Sequence, residues 1–432
     1  MAAILALPLV GLADALRRGE LRAVDVLDAY LSRARDVQHA TNAITVFAGG
    51  ARAEAEAADA HLAATGRPLG PLHGVPVSIK DHYQLKGHPV TMGLRGLKDA
   101  QAKSGGAKRD AALVVALRDA GAVVFCKTNM TQLGDTWGGG NPAWGDSLNP
   151  WDTLRTTGGS SSGEGALVGA NASPLGFGSD VGGSVRIPAA FCGVVGLKPT
   201  AQRFTFNAED ARTIMNHPGD YGILATGGPL ARTVDDVILA MRALWRPGSA
   251  LFELDRVPPI PFDEGVLSDS RPLRVGVCTT EGHVYPAPCP SCVRAVEEAA
   301  AALAARGHTV VPFAPGAEGV APPREVEAVV LGLYGGGKKD PSALPPPPPD
   351  PAANSGSYGG GPLAGEEIHP DLAAGMAGGK RGTDSAVATK DMLPRPTSMG
   401  SYLAVVAARD RLRDKVRTYQ YYHGFQLLPT ST

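Results

Sequence analysis

The chain of 432 residues is 44% hydrophobic, which is enough for a large core in two or three domains or in one large α/β domain. Its 41 lysines and arginines balance 42 aspartates and glutamates, so no charge excess draws it to nucleic acid or to an anionic membrane. Five cysteines are too few for a disulfide framework in so long a chain, and they indicate a reducing, cytoplasmic setting.

Helices are predicted for residues 1–66, which we treat as an N-terminal helical segment. Apolar residues recur at helical spacing from Ala23 to Arg35, and residues 51–65 have the alanine-rich, charged composition of a surface helix. The first residues are apolar but lack the basic region of a signal peptide. No stretch reaches about 18 uncharged apolar residues, so no transmembrane helix is predicted.

A short strand is predicted near the start of the central segment, residues 67–334. Val75, Val77 and Ile79 alternate with other residues after a proline and glycine boundary. Lys80 ends this strand. A lysine there is either a surface residue or a partly desolvated amine whose pKa is lowered toward neutrality, so that it can act as a base.

The next elements predict one step of an α/β layer. A helix over residues 111–120 is followed by a buried strand and a turn over residues 121–130. Residues 134–150 form a loop of glycine, asparagine and proline that holds Trp137 and Trp144. These aromatic side chains either line a pocket or cover the core.

Alternation of helix and strand continues in the second half of the central segment. Thr233 and Asp236 have the spacing of a helix N-terminal capping box before an apolar helix. A buried strand over residues 273–279, a helix over 291–306 and a strand over 308–313 follow.

The composition changes near residue 335. Residues 335–397 are low-complexity glycine and proline sequence, which we predict to be a disordered insert. The last segment, residues 398–432, predicts a charged helix over 401–417 and then the beginning of a strand. Because the chain stops as that strand begins, we expect it to be truncated.

One stretch from Thr157 to Thr200 has the composition of a buried catalytic segment. It holds 11 glycines and six serines in 44 residues but only four charged side chains, and apolar runs separate its glycines. Repeated glycines in a buried segment indicate a backbone that turns or approaches another group closely. Serines between them can face a reacting group, which predicts a serine hydrolase.

Three other chemistries are disfavoured. Residues 159–163 match the G-x-S-x-G nucleophile elbow at Ser161, but that motif needs a preceding strand and none is predicted there. Cys289 and Cys292 form a lone C-x-x-C with no second pair, which we interpret as the approach to the helix at Ser291. The histidines show no H-E-x-x-H, and no phosphate-binding glycine loop is present.

The remaining candidate is a hydrolase in which lysine and serine side chains replace a histidine base. Gly-Gly-Ser occurs at residues 158–160 and again at 182–184, with Lys80 upstream. A neutral lysine accepts a proton from one hydroxyl, which accepts a proton from the nucleophile. Glycines beside a serine leave N–H groups uncovered, so that they can converge on an oxyanion.

These segments resemble the amidase signature family from about residue 10 to about residue 330. The resemblance implies an α/β fold with a mixed, mostly parallel central sheet flanked by helices, the amidase-signature core lying over residues 67–334. It rests on GVPVSIKD around Lys80, KTN at 127–129, NPW at 149–151, GGSSSGEGAL at 158–167, GSDVGGSVRIPA at 178–189, FCGVVGLKPT at 191–200 and GGPLARTVDD at 227–236.

The resemblance also implies the site residues. In the family the catalytic set is a lysine, a cis-configured serine and a nucleophilic serine. Here these roles fall on Lys80 as base, Ser160 as relay and Ser184 as nucleophile. The residues implied to bind substrate and form the oxyanion hole are Ser160, Val181, Gly182, Gly183 and Ser184. Hydrogen bonds from Ser161 and Asp180, with Arg186 paired to Asp180, are implied to support them.

The implied function is hydrolysis of a carboxylic or fatty acyl amide through an acyl-enzyme, without metal or cofactor. The motif variants are more similar to those of fungal acetamidases and fatty acid amide hydrolases than to those of the glutamine amidotransferase A subunit. That subunit is the first alternative, and an inactive truncated protein is the second. The expected partner is a small-molecule amide, and a homodimer and a peripheral membrane association are left open.

Overall fold

The computed structural model describes residues 1–313 except 202, 205–224, 255–256 and 280–287. Within these ranges, six strands form one sheet in the order β1-β3-β2-β4-β6-β5, and two form a second sheet. The strands are β1 (Ile44–Phe47), β2 (Pro76–Lys80), β3 (Val123–Thr128), β4 (Leu175–Asp180), β5 (Val195–Gly196), β6 (Thr226–Ala231), β7 (Arg274–Val277) and β8 (Thr309–Pro312).

Twelve α-helices accompany the two sheets in the described part of the chain. They are α1 (Ala2–Ala6), α2 (Leu9–Arg17), α3 (Ala23–Thr41), α4 (Ala51–Thr65), α5 (Arg95–Ser104), α6 (Ala112–Asp119), α7 (Ser162–Gly169), α8 (Arg186–Cys192), α9 (Val234–Leu244), α10 (Ala250–Leu254), α11 (Glu264–Ser268) and α12 (Pro290–Ala305), with a 3₁₀ turn at Gln132–Gly134. None of these helices combines the length and the apolar character that a membrane crossing needs.

The centre of the larger sheet is parallel. Strand β2 pairs in parallel with β3 on one side and with β4 on the other, and every residue of these three strands is buried. In β2 the apolar residues Val77 and Ile79 alternate with Ser78, and all three side chains are fully buried because both faces of the strand are covered. The C-terminal residue of β2, Lys80, is thereby held inside the sheet beside Thr128.

The predicted α/β fold with a mixed sheet and flanking helices is confirmed. The outer pairings, β1 with β3, β4 with β6 and β5 with β6, are antiparallel. Two of the five pairings in this sheet are therefore parallel in the described residues, fewer than a mostly parallel sheet would have. The difference arises because chain reversals outside the central trio add antiparallel neighbours at both edges.

The N-terminal segment belongs to the same hydrophobic core as the sheet. Its predicted helices are present, but β1 interrupts them and pairs with β3. Four residues between two helices carry little periodic signal, so this strand was not predicted. Leu12 and Tyr30 on the helices and Phe125 and Phe177 on the strands are fully buried in one contiguous cluster.

Of the two hydrogen bonds that make a capping box, the N-terminus of α9 has one. Thr233 accepts a hydrogen bond from the backbone N–H of Asp236, at 3.1 Å. The Asp236 carboxylate does not complete a reciprocal capping box, because its Oδ1 accepts a hydrogen bond from the Val10 N–H instead. This contact ties the start of α2 to the start of α9.

The smaller sheet consists of β7 and β8 paired in parallel, with α12 between them in sequence. The strands and helix that the sequence predicts there are present. The strand over residues 273–279 was predicted to be buried, and this is wrong for the described structure: within β7 only Val275 is buried. The predicted insert at 335–397 and the segment 398–432 lie outside the described residues.

Candidate active site

Lys80 is a buried amine at the C-terminal end of β2. Its Nζ lies 2.8 Å from Ser160 Oγ and 3.0 Å from Ser179 Oγ. Burial lowers the pKa of Lys80 to about 7, against the opposing effect of Asp180 and other carboxylates. A large share of this amine is therefore neutral at neutral pH, and a neutral amine can accept a proton.

Ser160 belongs to a tightly enclosed backbone turn. The Gly159–Ser160 peptide bond is cis, as the resemblance implies for its relay serine. Gly158 has φ +73°, in the left-handed region, and a side chain there would meet Ile187 at 2.8 Å. The Ser160 carbonyl accepts a hydrogen bond from the N–H of Thr131, at 3.2 Å. The glycines thus bring the Ser160 hydroxyl into the sheet interior, beside the lysine.

The Asp180–Arg186 pair holds the turn that carries Ser184. Asp180 Oδ1 accepts from the Gly183 N–H at 2.9 Å, and Oδ2 accepts from the Val185 N–H at 3.0 Å. Arg186 binds both carboxylate oxygens through Nη2 and Nε, at 2.9 and 3.0 Å. Burial raises the pKa of Asp180, but the hydrogen bonds from Arg186, Val185 and Gly183 outweigh it and hold that pKa below its ordinary value.

The predicted oxyanion segment, residues 181–184, is only partly open. The N–H of Gly183 points at Asp180, so its part in an oxyanion hole stays a prediction. Within the described residues, the N–H groups of Gly182 and Ser184 have no protein acceptor. Gly182 is exposed, and a side chain added there would meet nothing within 4 Å, so the space above this turn is free. Val181 packs partly against the core.

Ser161 joins the two Gly-Gly-Ser segments. Its N–H donates to the Ser184 carbonyl at 3.1 Å, and its Oγ accepts from the Ser179 N–H at 3.3 Å. Ser161 is fully buried, and helix α7 begins directly after it. These contacts place Ser160 and Ser184 on neighbouring turns, and they use Ser161 for support rather than leave it exposed at a nucleophile elbow.

The site brings together the Lys80 amine with its lowered pKa, the Ser160 hydroxyl beside it, and Ser184 on a neighbouring glycine turn. Comparison with known proteins identifies the family. A family profile described as Amidase matches residues 25–331. The chain belongs to the amidase signature family.

Relatives in this family include enzymes that act on different amides. Fatty-acid amide hydrolase 1 of Sus scrofa is 40% identical over 313 residues, which cover 72% of this chain and 50% of the relative. Acetamidase of Emericella nidulans is 35% identical over 312 residues, covering 70% of this chain and 55% of the relative. The chain therefore spans about half the length of these curated relatives.

Solved structures show the same fold. A fatty acid amide hydrolase structure matches with a TM-score of 0.78 and 26% identity, covering 98% of this chain and 67% of that one. The structure of a 6-aminohexanoate cyclic dimer hydrolase with its substrate matches with a TM-score of 0.69 and 27% identity, covering 97% of this chain and 78% of that one.

The structure adds a buried carboxyl group that sequence reasoning missed. Glu164 on α7 is fully buried and accepts hydrogen bonds from Ser78 Oγ at 2.6 Å and Thr128 Oγ1 at 2.8 Å. Burial raises the pKa of Glu164 to about 8. The signal in the sequence was a glutamate inside an otherwise apolar, glycine-rich run. Because burial favours the neutral forms of both groups, Glu164 is compatible with a neutral Lys80 nearby.

The two tryptophans of the 134–150 loop have different environments. Trp144 lies under the Lys98 ammonium and donates its indole N–H to Thr91, so it covers the protein interior. Trp137 is 59% exposed and donates its indole N–H to the Gly182 carbonyl at 3.2 Å. Trp137 therefore lies against the oxyanion segment, which its position in sequence did not reveal.

No metal-binding cluster of three histidine, cysteine, aspartate or glutamate side chains exists in the residues that the structure describes. The five cysteines are free thiols. A reaction without metal or cofactor stays a prediction from the resemblance.

Proposed function

We propose that this protein is an amidase that hydrolyses a carboxylic or fatty acyl amide to an acid and an amine or ammonia. Membership of the amidase signature family supports the reaction, and relatives named as fatty acid amide hydrolase and acetamidase support the substrate class. The observation that carries the mechanism is the buried Lys80 amine, with a pKa of about 7, at 2.8 Å from the Ser160 hydroxyl.

In the proposed first step, Ser184 attacks the carbonyl carbon of the amide. Its hydroxyl proton passes to Ser160, whose own proton passes to the neutral Lys80 amine. The carbonyl oxygen becomes an oxyanion, and we assign to its stabilisation the N–H groups of the 181–184 turn other than that of Gly183, which donates to Asp180. Each N–H in such a turn acts where charge develops, so it lowers the barrier rather than only binding the substrate.

In the second step, the tetrahedral intermediate collapses. The C–N bond breaks, and the leaving nitrogen takes a proton from Ser160, which is resupplied by the Lys80 ammonium. The acyl group stays on Ser184 as an ester. Water then attacks that ester while its proton passes through Ser160 to Lys80. The same proton returns to Ser184 as the acid leaves, which restores the neutral lysine.

A fluorophosphonate probe tests the proposed nucleophile, because it phosphonylates activated serines. The wild-type chain is expected to be labelled, Ser184→Ala is expected to remain unlabelled, and Lys80→Ala is expected to be labelled at least about 100-fold more slowly. Ser162→Ala is the matched control, because Ser162 is a buried serine of the same segment whose Oγ donates a hydrogen bond to the Asn129 carbonyl and takes no part in the proposed proton route. Labelling of Ser184→Ala at the wild-type rate would show that another serine is the nucleophile.

Amide hydrolysis by the purified chain distinguishes the alternatives. Release of ammonia from acetamide, or of ammonia from a long-chain primary amide, without added protein supports an amidase over a glutamine amidotransferase subunit. A cooperative thermal unfolding transition without activity or labelling would favour an inactive protein of this family. The relative rates on the two amides define the acyl length that the site accepts.

The remaining assignments are proposals of the same kind. The low cysteine content supports an intracellular, cytoplasmic setting. A homodimer is tested by light scattering during size-exclusion chromatography, and a peripheral membrane association is tested by co-sedimentation with vesicles.

A further inference from the structure

Two cysteines at the start of α12 form a site that amide hydrolysis does not use. Cys289 is the N-cap residue of this helix, and Cys292 lies in its first turn. Both side chains are exposed, and their Sγ atoms are 3.3 Å apart. A disulfide bond is about 2.05 Å long, so the two sulfurs must approach by roughly 1.3 Å to form one.

The surroundings distinguish the two thiols. Ser291 Oγ lies 3.0 Å from Cys289 Sγ. Hydrogen bonds from the Ser291 hydroxyl, then from the N–H and thiol of Cys292, lower the pKa of Cys289 to about 7. The contact with Cys289 raises the pKa of Cys292. Because the thiolate is the nucleophile in disulfide exchange, Cys289 is the thiol that attacks first, and Cys292 is the one that resolves.

The helix start holds this pair in place. Pro290 occupies the first position of a 16-residue helix. Proline suits this position because an N–H there would have no intrahelical acceptor and because the proline ring fixes φ near the helical value. The N–H groups of Cys292 and Val293 both donate to the Cys289 carbonyl, at 2.9 and 3.2 Å. The backbone between the two cysteines is therefore held by hydrogen bonds, and side-chain rotation changes the distance between their sulfurs.

The other described cysteines are poor competitors for an external reagent. Cys126 and Cys192 are fully buried. Burial raises the pKa of the Cys192 thiol to about 12, and it raises the pKa of Cys126 well above its ordinary value. Cys278, in the chain just after β7, is only partly exposed.

We propose that Cys289 and Cys292 are a thiol–disulfide exchange site for a low-molecular-weight disulfide of the glutathione type. The Cys289 thiolate attacks one sulfur of the disulfide, a mixed disulfide forms, and one small thiol leaves after taking a proton. Cys292 then loses its proton and attacks Cys289 Sγ, and the second small thiol leaves. The two protein thiols are oxidised by two electrons, and the small disulfide is reduced to two thiols.

The full-length reduced chain is incubated with glutathione disulfide at pH 7 and analysed by intact mass and peptide mapping. Wild type is expected to lose about 2 Da through a Cys289–Cys292 disulfide. Cys292→Ser cannot resolve, so it is expected to stop as a glutathione adduct at Cys289, heavier by about 305 Da. Cys278→Ser is the matched control and is expected to behave as wild type.

Alkylation rates test the proposed difference in reactivity between Cys289 and Cys292. At pH 7 a thiol of pKa about 7 has about 50 times more thiolate than an ordinary thiol of pKa 9.0, and the pKa of Cys292 is raised above this ordinary value. The lower intrinsic nucleophilicity of Cys289 reduces this advantage to about five-fold. Iodoacetamide is therefore expected to alkylate Cys289 about five times faster than Cys292. Equal rates at the two cysteines, a wild-type mixed disulfide that does not resolve, or a disulfide that includes Cys278 would each overturn the proposal. Neither cysteine touches the amidase site, so these results are independent of amide hydrolysis.

Discussion

Replacing Lys80 with methionine separates catalysis from stability at one position. Methionine fills much of the same buried space without a charge, so it removes the proposed base while it keeps the packing. Amide hydrolysis and probe labelling are expected to slow by at least about 100-fold, as for Lys80→Ala. The stability of the fold at neutral pH is expected to rise, because wild-type folding must bury an amine that the unfolded chain keeps protonated.

The size of the expected gain in stability follows from the pKa of Lys80, which folding lowers from 10.5 to about 7. Between these two values the unfolded chain binds a proton that the folded chain does not, so wild-type stability increases with pH over this window and is lowest below it. At pH 7 the linkage amounts to about 4 kcal/mol in favour of the variant. Loss of the hydrogen bonds to Ser160 and Ser179 offsets about 2 kcal/mol of this. The net gain is therefore about 2 kcal/mol at pH 7, decreasing to about zero near pH 9.

Urea unfolding of wild type and Lys80→Met at pH 7 and pH 9 measures both values. Lys86→Met is the matched control, because Lys86 is exposed and its replacement is expected to change stability by less than about 0.5 kcal/mol at either pH. If Lys80→Met is no more stable than wild type at pH 7, or if its advantage does not shrink as the pH rises, the lowered pKa of the buried amine is wrong.

Three further changes test the site. With wild type, kcat/KM for amide hydrolysis is expected to rise with pH through about 7, because only the neutral Lys80 amine accepts a proton; a profile that falls across this range contradicts its role as base. Trp137→Phe keeps an aromatic side chain but removes the indole N–H that is donated to the Gly182 carbonyl. The kcat is therefore expected to fall about three- to ten-fold with little change in KM, and an effect on KM alone in steady-state kinetics would refute this positioning role. Gly183→Ala is expected to destabilise the fold by about 1–3 kcal/mol in urea unfolding, because Gly183 has φ +108° and the new Cβ would lie 2.6 Å from Ile187. Gly182→Ala is the control, because a Cβ at Gly182 meets nothing within 4 Å. Equal losses of stability in the two variants would contradict this explanation.

Much of the fold was accessible from the sequence because its signals are local. The apolar alternation before Lys80 predicted β2, and the strand ends at that residue. The helices predicted over residues 111–120 and 291–306 begin and end within a residue or two of those observed. By contrast, β1 has only four residues and becomes a strand by pairing with β3, so its own sequence carries little information.

The smaller sheet shows that a sequence pattern can also predict more burial than the structure has. The apolar run over residues 273–279 predicted a buried strand, whereas β7 is largely exposed in the described structure. An apolar composition indicates that a strand can be buried without a large desolvation cost. Which surface covers it is decided by elements elsewhere in the chain.

The sequence by itself determined the residue types of the candidate site. The two Gly-Gly-Ser units and Lys80 are visible as motifs, and their roles came from the resemblance to the amidase signature family. Only the tertiary structure decided the environment of these residues. Segments about 80 and 100 positions apart place Ser160 and Ser179 around the Lys80 amine, and burial by α7 and the central strands lowers its pKa. Desolvation and hydrogen bonding depend on neighbours in space, so no local pattern could supply them.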